Sequence, residues 1–146
     1  MNPTTPIMMN RLNSPDAEGG CLCGAVRFRV TGQPLALSRC HCESCRRAVG
    51  SAGVGWSIFR REEVTVVRGS LAQYRSSAQA LRTFCGNCGT SISYESSDEP
   101  AQVALATATF DEPERFSPSR EVWLEHKLSW ELLNQSLMSY DRGSSE

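Results

Sequence analysis

The stretch that decides the fold is Cys85-Gly86-Asn87-Cys88, in which two cysteines flank a tight turn. Glycine and asparagine tolerate the left-handed backbone that such a turn needs, and the turn can direct backbone N–H groups at the sulfurs. A turn of this kind supplies only two metal ligands, so it needs a distant pair. Cys21 and Cys23 fit that role, because four thiolates would close a tetrahedral site joining the first strand to a turn far along the chain.

A third group of cysteines lies between these pairs, in Cys40-His41-Cys42-Glu43-Ser44-Cys45. The chain has seven cysteines, so a disulfide framework would leave one over, whereas a division between two metal ions uses them all. Thiolates two or three positions apart suit a soft tetrahedral ion such as zinc. The sequence therefore predicts two zinc ions per chain: a closed structural site on Cys21, Cys23, Cys85 and Cys88, and an incomplete site on Cys40, Cys42 and Cys45.

The incomplete site is the candidate catalytic group. Three thiolates leave zinc with a net negative charge, so it suits a sulfur ligand better than it suits making hydroxide. A substrate thiol bound there would lose its proton and become a nucleophile. The alternative is a second structural site, closed by His41, His126, an acidic side chain or a partner protein, and spacing alone does not decide between the two.

The neighbours of the triplet carry further predictions. His41 lies between two ligands, so we expect it to point away from the ion, either behind the ligands or exposed. His126 lies in the strand-like run 121–127 and is expected to be satisfied or to face solvent. Arg46 and Arg47 follow the last ligand and could bind a substrate carboxylate, although a solvated turn is the alternative.

The strand pattern indicates a mainly β, antiparallel domain. Val26, Phe28 and Val30 alternate with polar residues, and an extension of this strand back to Cys21 would place Cys21 and Cys23 on one face. Further strands are predicted at 35–38, 54–59, 64–68, 72–75, 80–84, 91–94 and 103–109, with short helical turns after Cys42 and near 130–137. The predicted organisation is a disordered segment 1–18, a domain 19–140 and a flexible tail 141–146.

Composition excludes several partners. The chain has 15 basic and 16 acidic residues, so no electrostatic field favours nucleic acid or an anionic membrane. No stretch approaches the roughly 20 apolar residues of a membrane-spanning helix, and residues 1–18 lack a secretory signal pattern. We therefore expect a cytoplasmic location, where thiols stay reduced, and no membrane partner.

Taken together, three motifs resemble the glutathione-dependent formaldehyde-activating enzyme family, which also includes centromere protein V. The motifs are GGCLCGAVRF at 19–28, CHCESCRR at 40–47 with Gly50-Ser51, and FCGNCGT at 84–90. The resemblance spans roughly residues 19–130. It implies a β-tent fold of antiparallel sheets stapled by zinc, a structural zinc on the four paired cysteines, and an active-site zinc on the triplet.

The resemblance also implies an activity. The family's founding reaction joins glutathione to formaldehyde as S-hydroxymethylglutathione and is classed as a carbon–sulfur lyase for the reverse direction. We therefore expect an enzyme that uses a thiol and an aldehyde, with glutathione as a candidate co-substrate and with Arg46, Arg47 and Ser51 as candidate substrate-binding residues. The alternative is a non-catalytic zinc module for a protein or small ligand. The sequence does not decide whether the chain forms a homodimer.

Overall fold

The computed structural model describes residues 16–143 of the chain. The predicted disordered segment therefore lies outside the described residues except at 16–18, and the predicted tail except at 141–143. Eleven strands, one α-helix and four short 3₁₀ turns occupy the described range. The strands are β1 (Ala17–Gly20), β2 (Arg27–Val30), β3 (Ala36–Cys40), β4 (Val54–Arg60), β5 (Val64–Arg68), β6 (Leu71–Arg75), β7 (Ala80–Cys85), β8 (Ser91–Ser96), β9 (Gln102–Ala106), β10 (Arg120–Val122) and β11 (Met138–Ser139).

The strands form two sheets. Three of them make a small antiparallel sheet in the order β1-β2-β5, and the other eight follow the order β11-β10-β3-β4-β9-β8-β7-β6. This confirms the prediction of a mainly β domain with antiparallel sheets. The large sheet is antiparallel except at one edge, where β10 runs parallel to both β3 and β11. The helix α1 (Glu43–Val49) follows β3, and the 3₁₀ turns are Arg61–Glu63, Thr107–Thr109, Pro113–Phe116 and Leu124–His126.

Each face of the large sheet has its own apolar cluster. Alternation along β9 directs Val103 and Leu105 into the cluster shared with the small sheet, whereas Ala104 and Ala106 belong to the cluster on the opposite face. The shared cluster contains four aromatic side chains, and its centre is Phe110. The Phe110 ring lies 5.1 Å from that of Phe28 and 4.5 Å from that of Phe116, centre to centre.

Close packing also fixes Gly19. Phe110 makes an isolated bridge to Gly19 in β1, which brings the two backbones together. A Cβ at position 19 would collide with the carbonyl oxygen of Thr109 and the Phe28 ring, so only glycine fits there. Glycine is therefore required at position 19, the start of the first motif, because the chain that follows β9 passes close to the backbone of β1.

The structure corrects the predicted start of the domain. β1 begins at Ala17, two residues before the predicted boundary and inside the segment expected to be disordered. The β2 strand does not reach back to Cys21. A turn covers Cys21 to Val26 instead, closed by a hydrogen bond from Cys21 N–H to the Val26 carbonyl and containing Gly24 at φ 79°.

Three other boundaries differ in the C-terminal half. The predicted strand 103–109 ends at Ala106 and continues as a 3₁₀ turn. The strand-like run 121–127 is a strand only as far as Val122, because Trp123 adopts the left-handed conformation with φ 62°. Residues 130–137 form turns and irregular backbone rather than a helix. Asn134 offers a local reason, since its side chain accepts hydrogen bonds from Ser136 and so competes with helix formation.

The predicted tail also makes backbone contacts where it is described. The N–H of Trp123 donates to the carbonyl of Arg142, and the N–H of Glu125 donates to that of Asp141. Within residues 16–143, no helix combines the length and apolar character needed to cross a membrane.

We expect Phe110→Ala to lower the free energy of unfolding by about 3–5 kcal/mol, because it empties the centre of the shared core. The side chain of Phe110 is 4% exposed. Tyr74→Ala is the matched control, since Tyr74 is 65% exposed and its loss should cost no more than about 0.5 kcal/mol. Urea denaturation measures both values, and equal losses would contradict this account of the core.

Candidate metal centres and active-site cavity

The four paired cysteines converge on one point. Their sulfurs all lie within 4.8 Å of one another. The Sγ of Cys23 is 3.6 Å from that of Cys21 and 3.8 Å from that of Cys85. A tetrahedron with Zn–S bonds of about 2.3 Å has sulfurs about 3.8 Å apart, so the donor set and its spacing fit zinc. Their role as zinc ligands is a prediction that this geometry supports.

Hydrogen bonds around this cluster favour the thiolate form that a metal ligand requires. The backbone N–H groups of Asn87 and Cys88 both donate to Cys85 Sγ at 3.4 Å. The Val26 N–H donates to Cys21 Sγ and lowers the pKa of Cys21. The hydroxyl of Thr90 lies 3.2 Å from Cys88 Sγ and is the main reason that the pKa of Cys88 falls to about 5.

The turn after β7 differs from its prediction in one detail. The residue with left-handed backbone is Gly89, with φ 82°, rather than Gly86 or Asn87. The Asn87 side chain has a different task, because its amide donates to Cys23 Sγ across the cluster at 3.2 Å.

The triplet also comes together, with its three sulfurs within 4.8 Å of one another. Cys40 ends β3, and Cys42 caps helix α1 by accepting the backbone N–H of Cys45 at 3.3 Å. Cys45 lies in the first turn of that helix. Cys40 and Cys45 are buried, while Cys42 is half-buried. The compact spacing therefore depends on the strand end and the helix start meeting at one place.

Arg82 is a functional candidate that the sequence analysis missed. Both terminal nitrogens of its guanidinium lie 3.7 Å from Cys45 Sγ, and its Nε donates to the Ser76 hydroxyl at 3.1 Å. The same guanidinium lies over the Tyr94 ring, 4.9 Å from its centre. The neighbouring thiols Cys40 and Cys42, and then Arg82, lower the pKa of Cys45. A buried cation in β7 thus faces a thiolate 37 residues earlier in the chain.

Behind the triplet, His41 is buried and directed at Glu121. Its Nε2 lies 2.9 Å from Glu121 Oε1, and because an ionised carboxylate only accepts, this nitrogen donates. Arg39 donates to both oxygens of the same carboxylate at 2.6 and 2.7 Å, and the Asn134 backbone N–H donates at 2.8 Å. The prediction that His41 points away from the triplet agrees with this contact, but the exposed alternative is wrong.

Glu121 holds its charge in spite of burial. Burial by itself raises the pKa of this carboxyl, but the hydrogen bonds from Arg39, His41 and Asn134 outweigh it and bring the pKa to about 2. The network ties β3, β10 and the chain near residue 134 together just behind Cys40 and Cys42.

The triplet forms part of the wall of a cavity of about 400 Å³. The apolar part of the wall includes Trp56, Tyr94, Val122 and Trp123, and the two cations in it are Arg82 and Arg120. Among residues 16–143, no aspartate or glutamate lines the cavity. The four paired cysteines are not part of its wall either, so the two thiol clusters differ in their access to this space.

His126 also lines the cavity, at the end of a 3₁₀ turn. Its Nδ1 accepts the backbone N–H of Glu43 at 3.3 Å, and its ring centre lies 5.2 Å from that of Trp123. The side chain is partly exposed, as the sequence predicted for a satisfied or solvent-facing histidine.

The predicted substrate-binding residues lie elsewhere, because none of them lines the cavity. Arg46 Nε donates to the His41 carbonyl at 3.3 Å, and Ser51 donates to the Gly53 carbonyl at 2.7 Å. Arg47 pairs with Glu43 across one helical turn, and its side chain is 78% exposed. A role for these three in substrate binding stays a prediction that rests on sequence proximity alone.

The fold and the two thiol clusters define a small β domain with one candidate metal site of four cysteines and a second of three cysteines that faces a cavity. The chain belongs to the family of glutathione-dependent formaldehyde-activating enzymes, whose family model matches residues 16–126. The resemblance read from the three motifs is thereby confirmed.

Individual relatives agree with this assignment. A Halomonas elongata protein named after the glutathione-dependent formaldehyde-activating enzymes is 30% identical over 122 residues, covering 77% of this chain and 78% of that protein. A Schizosaccharomyces pombe protein named as an uncharacterised lyase is 37% identical over 78 residues, covering 53% of this chain. The chain thus matches 56% of the length of the yeast protein. A crystal structure of a Rhodobacter sphaeroides protein is similar in fold, with a TM-score of 0.55 at 23% identity over 84% of this chain and 98% of that one.

We expect Glu121→Gln to lower the free energy of unfolding by about 3 kcal/mol at pH 7, because Arg39 loses a buried counter-ion. The carboxyl pKa is about 2 in the folded chain against an ordinary value of 4.5. The stabilisation is therefore complete above about pH 4.5 and is lost as the pH falls toward 2. The difference between wild type and variant should shrink over that interval.

Chemical denaturation at pH 7 and pH 3 measures this difference. Glu131→Gln is the control, since Glu131 also pairs with Arg39, at 3.2 Å, but is 20% exposed. Its loss should cost no more than about 1 kcal/mol. A Glu121→Gln deficit that is unchanged at pH 3, or that is matched by Glu131→Gln, would refute the role given to the buried carboxylate.

Proposed function

We propose that the chain is a zinc-dependent enzyme of the carbon–sulfur lyase type that acts on the adduct of a thiol and an aldehyde, such as S-hydroxymethylglutathione. Glutathione and formaldehyde are the co-substrates that this proposal names. The observation that carries it is the position of the triplet, whose sulfurs form part of the cavity wall while the four-cysteine cluster does not. The family membership and the names of the two relatives support the same reaction class.

The proposal includes two zinc ions per chain. The four paired cysteines supply a complete set of soft ligands, which suits a structural ion. Cys40, Cys42 and Cys45 supply three, which suits an ion that can also accept a substrate atom. Zinc bound there would act as a Lewis acid that lowers the pKa of a substrate thiol.

Arg82 offsets the negative charge of the three-cysteine site. Three thiolates carry more negative charge than a divalent cation cancels, and a thiolate substrate would add to it. The guanidinium of Arg82, 3.7 Å from Cys45 Sγ, supplies a compensating positive charge. Trp56, Tyr94 and Trp123 make part of the cavity wall apolar, and apolar surroundings strengthen these electrostatic interactions.

His126 is the side chain that we assign to proton transfer. When the thiol adds to the aldehyde, the S–C bond forms and the π bond of the carbonyl breaks, with its electron pair going to the oxygen. The thiol proton leaves and the carbonyl oxygen gains a proton to become a hydroxyl. The reverse reaction undoes each change. An imidazole can carry that proton near neutral pH. Because Nδ1 accepts from the Glu43 N–H, the neutral ring holds its proton on Nε2, which lies 3.7 Å from Glu125 Oε1.

The direct test is NMR exchange spectroscopy with glutathione and formaldehyde. We expect the zinc-loaded chain to accelerate exchange between the free thiol and the hydroxymethyl adduct. Cys42→Ser should keep the fold and one zinc but lose the acceleration. Cys88→Ser is the matched control and should lose the fold, because it opens the structural site.

Two results would overturn the proposal. One is exchange no faster than the spontaneous reaction. The other is a Cys42→Ser variant that unfolds as fully as Cys88→Ser, which would make the triplet a structural site and favour the alternative of a non-catalytic zinc module.

A second prediction concerns Arg82. Arg82→Met should weaken zinc binding at the triplet by about 10- to 100-fold, because the Cys45 thiolate loses its cationic neighbour. Competition with a chromophoric chelator measures the affinity, and the more tightly bound structural ion serves as the internal reference. Arg75→Met, at an exposed position in the adjacent strand β6, should leave both affinities unchanged. Equal behaviour of the two variants would show that Arg82 does not act on the metal site.

A further inference from the structure

Arg120 is a cavity-lining cation without an acidic partner. Its Nε donates to the Ser38 hydroxyl at 2.6 Å. Among residues 16–143, no carboxylate pairs with its guanidinium, and neither terminal nitrogen has a hydrogen-bond partner. Burial lowers the pKa of Arg120, and only the charge of Tyr140 opposes this effect. A half-buried guanidinium in this state gains by meeting an anion.

The register of β10 and β3 places Arg120 close to the triplet. Arg120 pairs with Ser38, and Val122 pairs with Cys40, in the parallel part of the large sheet. Residues two apart in a strand share a face, so Arg120 lies on the same side as Cys40 and about 7 Å farther along the strands. A ligand that places sulfur at the triplet can therefore reach Arg120 with its other end.

The remaining charges of the cavity favour an anion at that end. Arg82 is already committed to Cys45 and Ser76. The wall described above contains no aspartate or glutamate that could pair with an ammonium group. The positive charge left over in the cavity is that of Arg120.

We propose that Arg120 selects the substrate thiol by binding a carboxylate that the thiol carries. This inference rests on the proposed function, and it narrows the substrate class to mercapto acids whose carboxylate has no neighbouring ammonium group. In a peptide thiol such as glutathione, the glycyl carboxylate meets that description, whereas the α-amino end of the γ-glutamyl residue does not.

The test is isothermal titration calorimetry of the zinc-loaded chain with three small thiols, namely 3-mercaptopropionate, 3-mercaptopropionamide and cysteamine. Each is measured with wild type and with Arg120→Met. The ratio of the two affinities for one thiol removes differences in intrinsic thiol acidity. We expect a ratio of about tenfold or more for the anionic thiol, about one for the amide, and below one for cysteamine.

Arg75→Met is the matched control, because this arginine is exposed in β6 and is not part of the cavity wall. It should leave all three affinities unchanged. A loss of 3-mercaptopropionate affinity in the control as large as that in Arg120→Met would overturn the assignment of Arg120 as the carboxylate-binding residue. An Arg120→Met ratio that is equal for the three thiols would overturn it as well.

A second measurement separates this inference from the proposed function. Propionate carries the carboxylate without the thiol, and its NMR titration should shift the amide signals of Ser38 and Val122 more than propionamide does, with no variant required. If no thiol binds but propionate gives these shifts, the proposed function fails and the anion site stands. If the thiols bind but propionate and propionamide act alike, the anion site fails and the proposed function stands.

Discussion

Repulsion between neighbouring thiolates is the constraint on which the rest of the structure depends. Seven thiols lie in two clusters, each with its sulfurs within 4.8 Å, and deprotonation would place several negative charges together. The two clusters compensate this charge differently. The cluster of four is surrounded by backbone N–H groups and by the side chains of Asn87 and Thr90, which compensate its negative charge through direct hydrogen bonds. The cluster of three relies on the Arg82 side chain, which reaches it from another strand.

The large sheet allows the two thiol clusters to have different surroundings within one small domain. One face packs on the small sheet around Phe28, Phe59 and Phe110, and this core lies beside the four-cysteine cluster, since Cys21 and Cys85 belong to it. The other face has small side chains, Ala104 and Ala106, beneath the triplet. Small residues there leave space above the strands, and that space is the cavity. The same β9 strand therefore supports an aromatic core on one side and the larger cavity beside the triplet on the other.

Much of this arrangement follows from local sequence signals. The spacing of the cysteines predicted both clusters, and alternation predicted most strands, because each signal spans only a few residues. Arg82, Arg120 and Glu121 could not be placed in this way, since their significance depends on which strands become neighbours. The only trace they leave is a charged residue in a short strand. Arg46 and Arg47 show the limit of sequence proximity: they adjoin Cys45 in sequence, but the turn of α1 directs them to the His41 carbonyl and to Glu43, and neither lines the cavity.

At Trp123, the residue that would best suit the left-handed backbone is not the residue that best lines the cavity. An aromatic residue with φ 62° is strained by roughly 1 kcal/mol or more, and glycine would remove that strain. Glycine would also delete an indole from the wall of the cavity. Glycine at this position would therefore increase stability but reduce the apolar wall of the cavity. The residue that other members of the family have at this position shows which of these two properties selection has favoured.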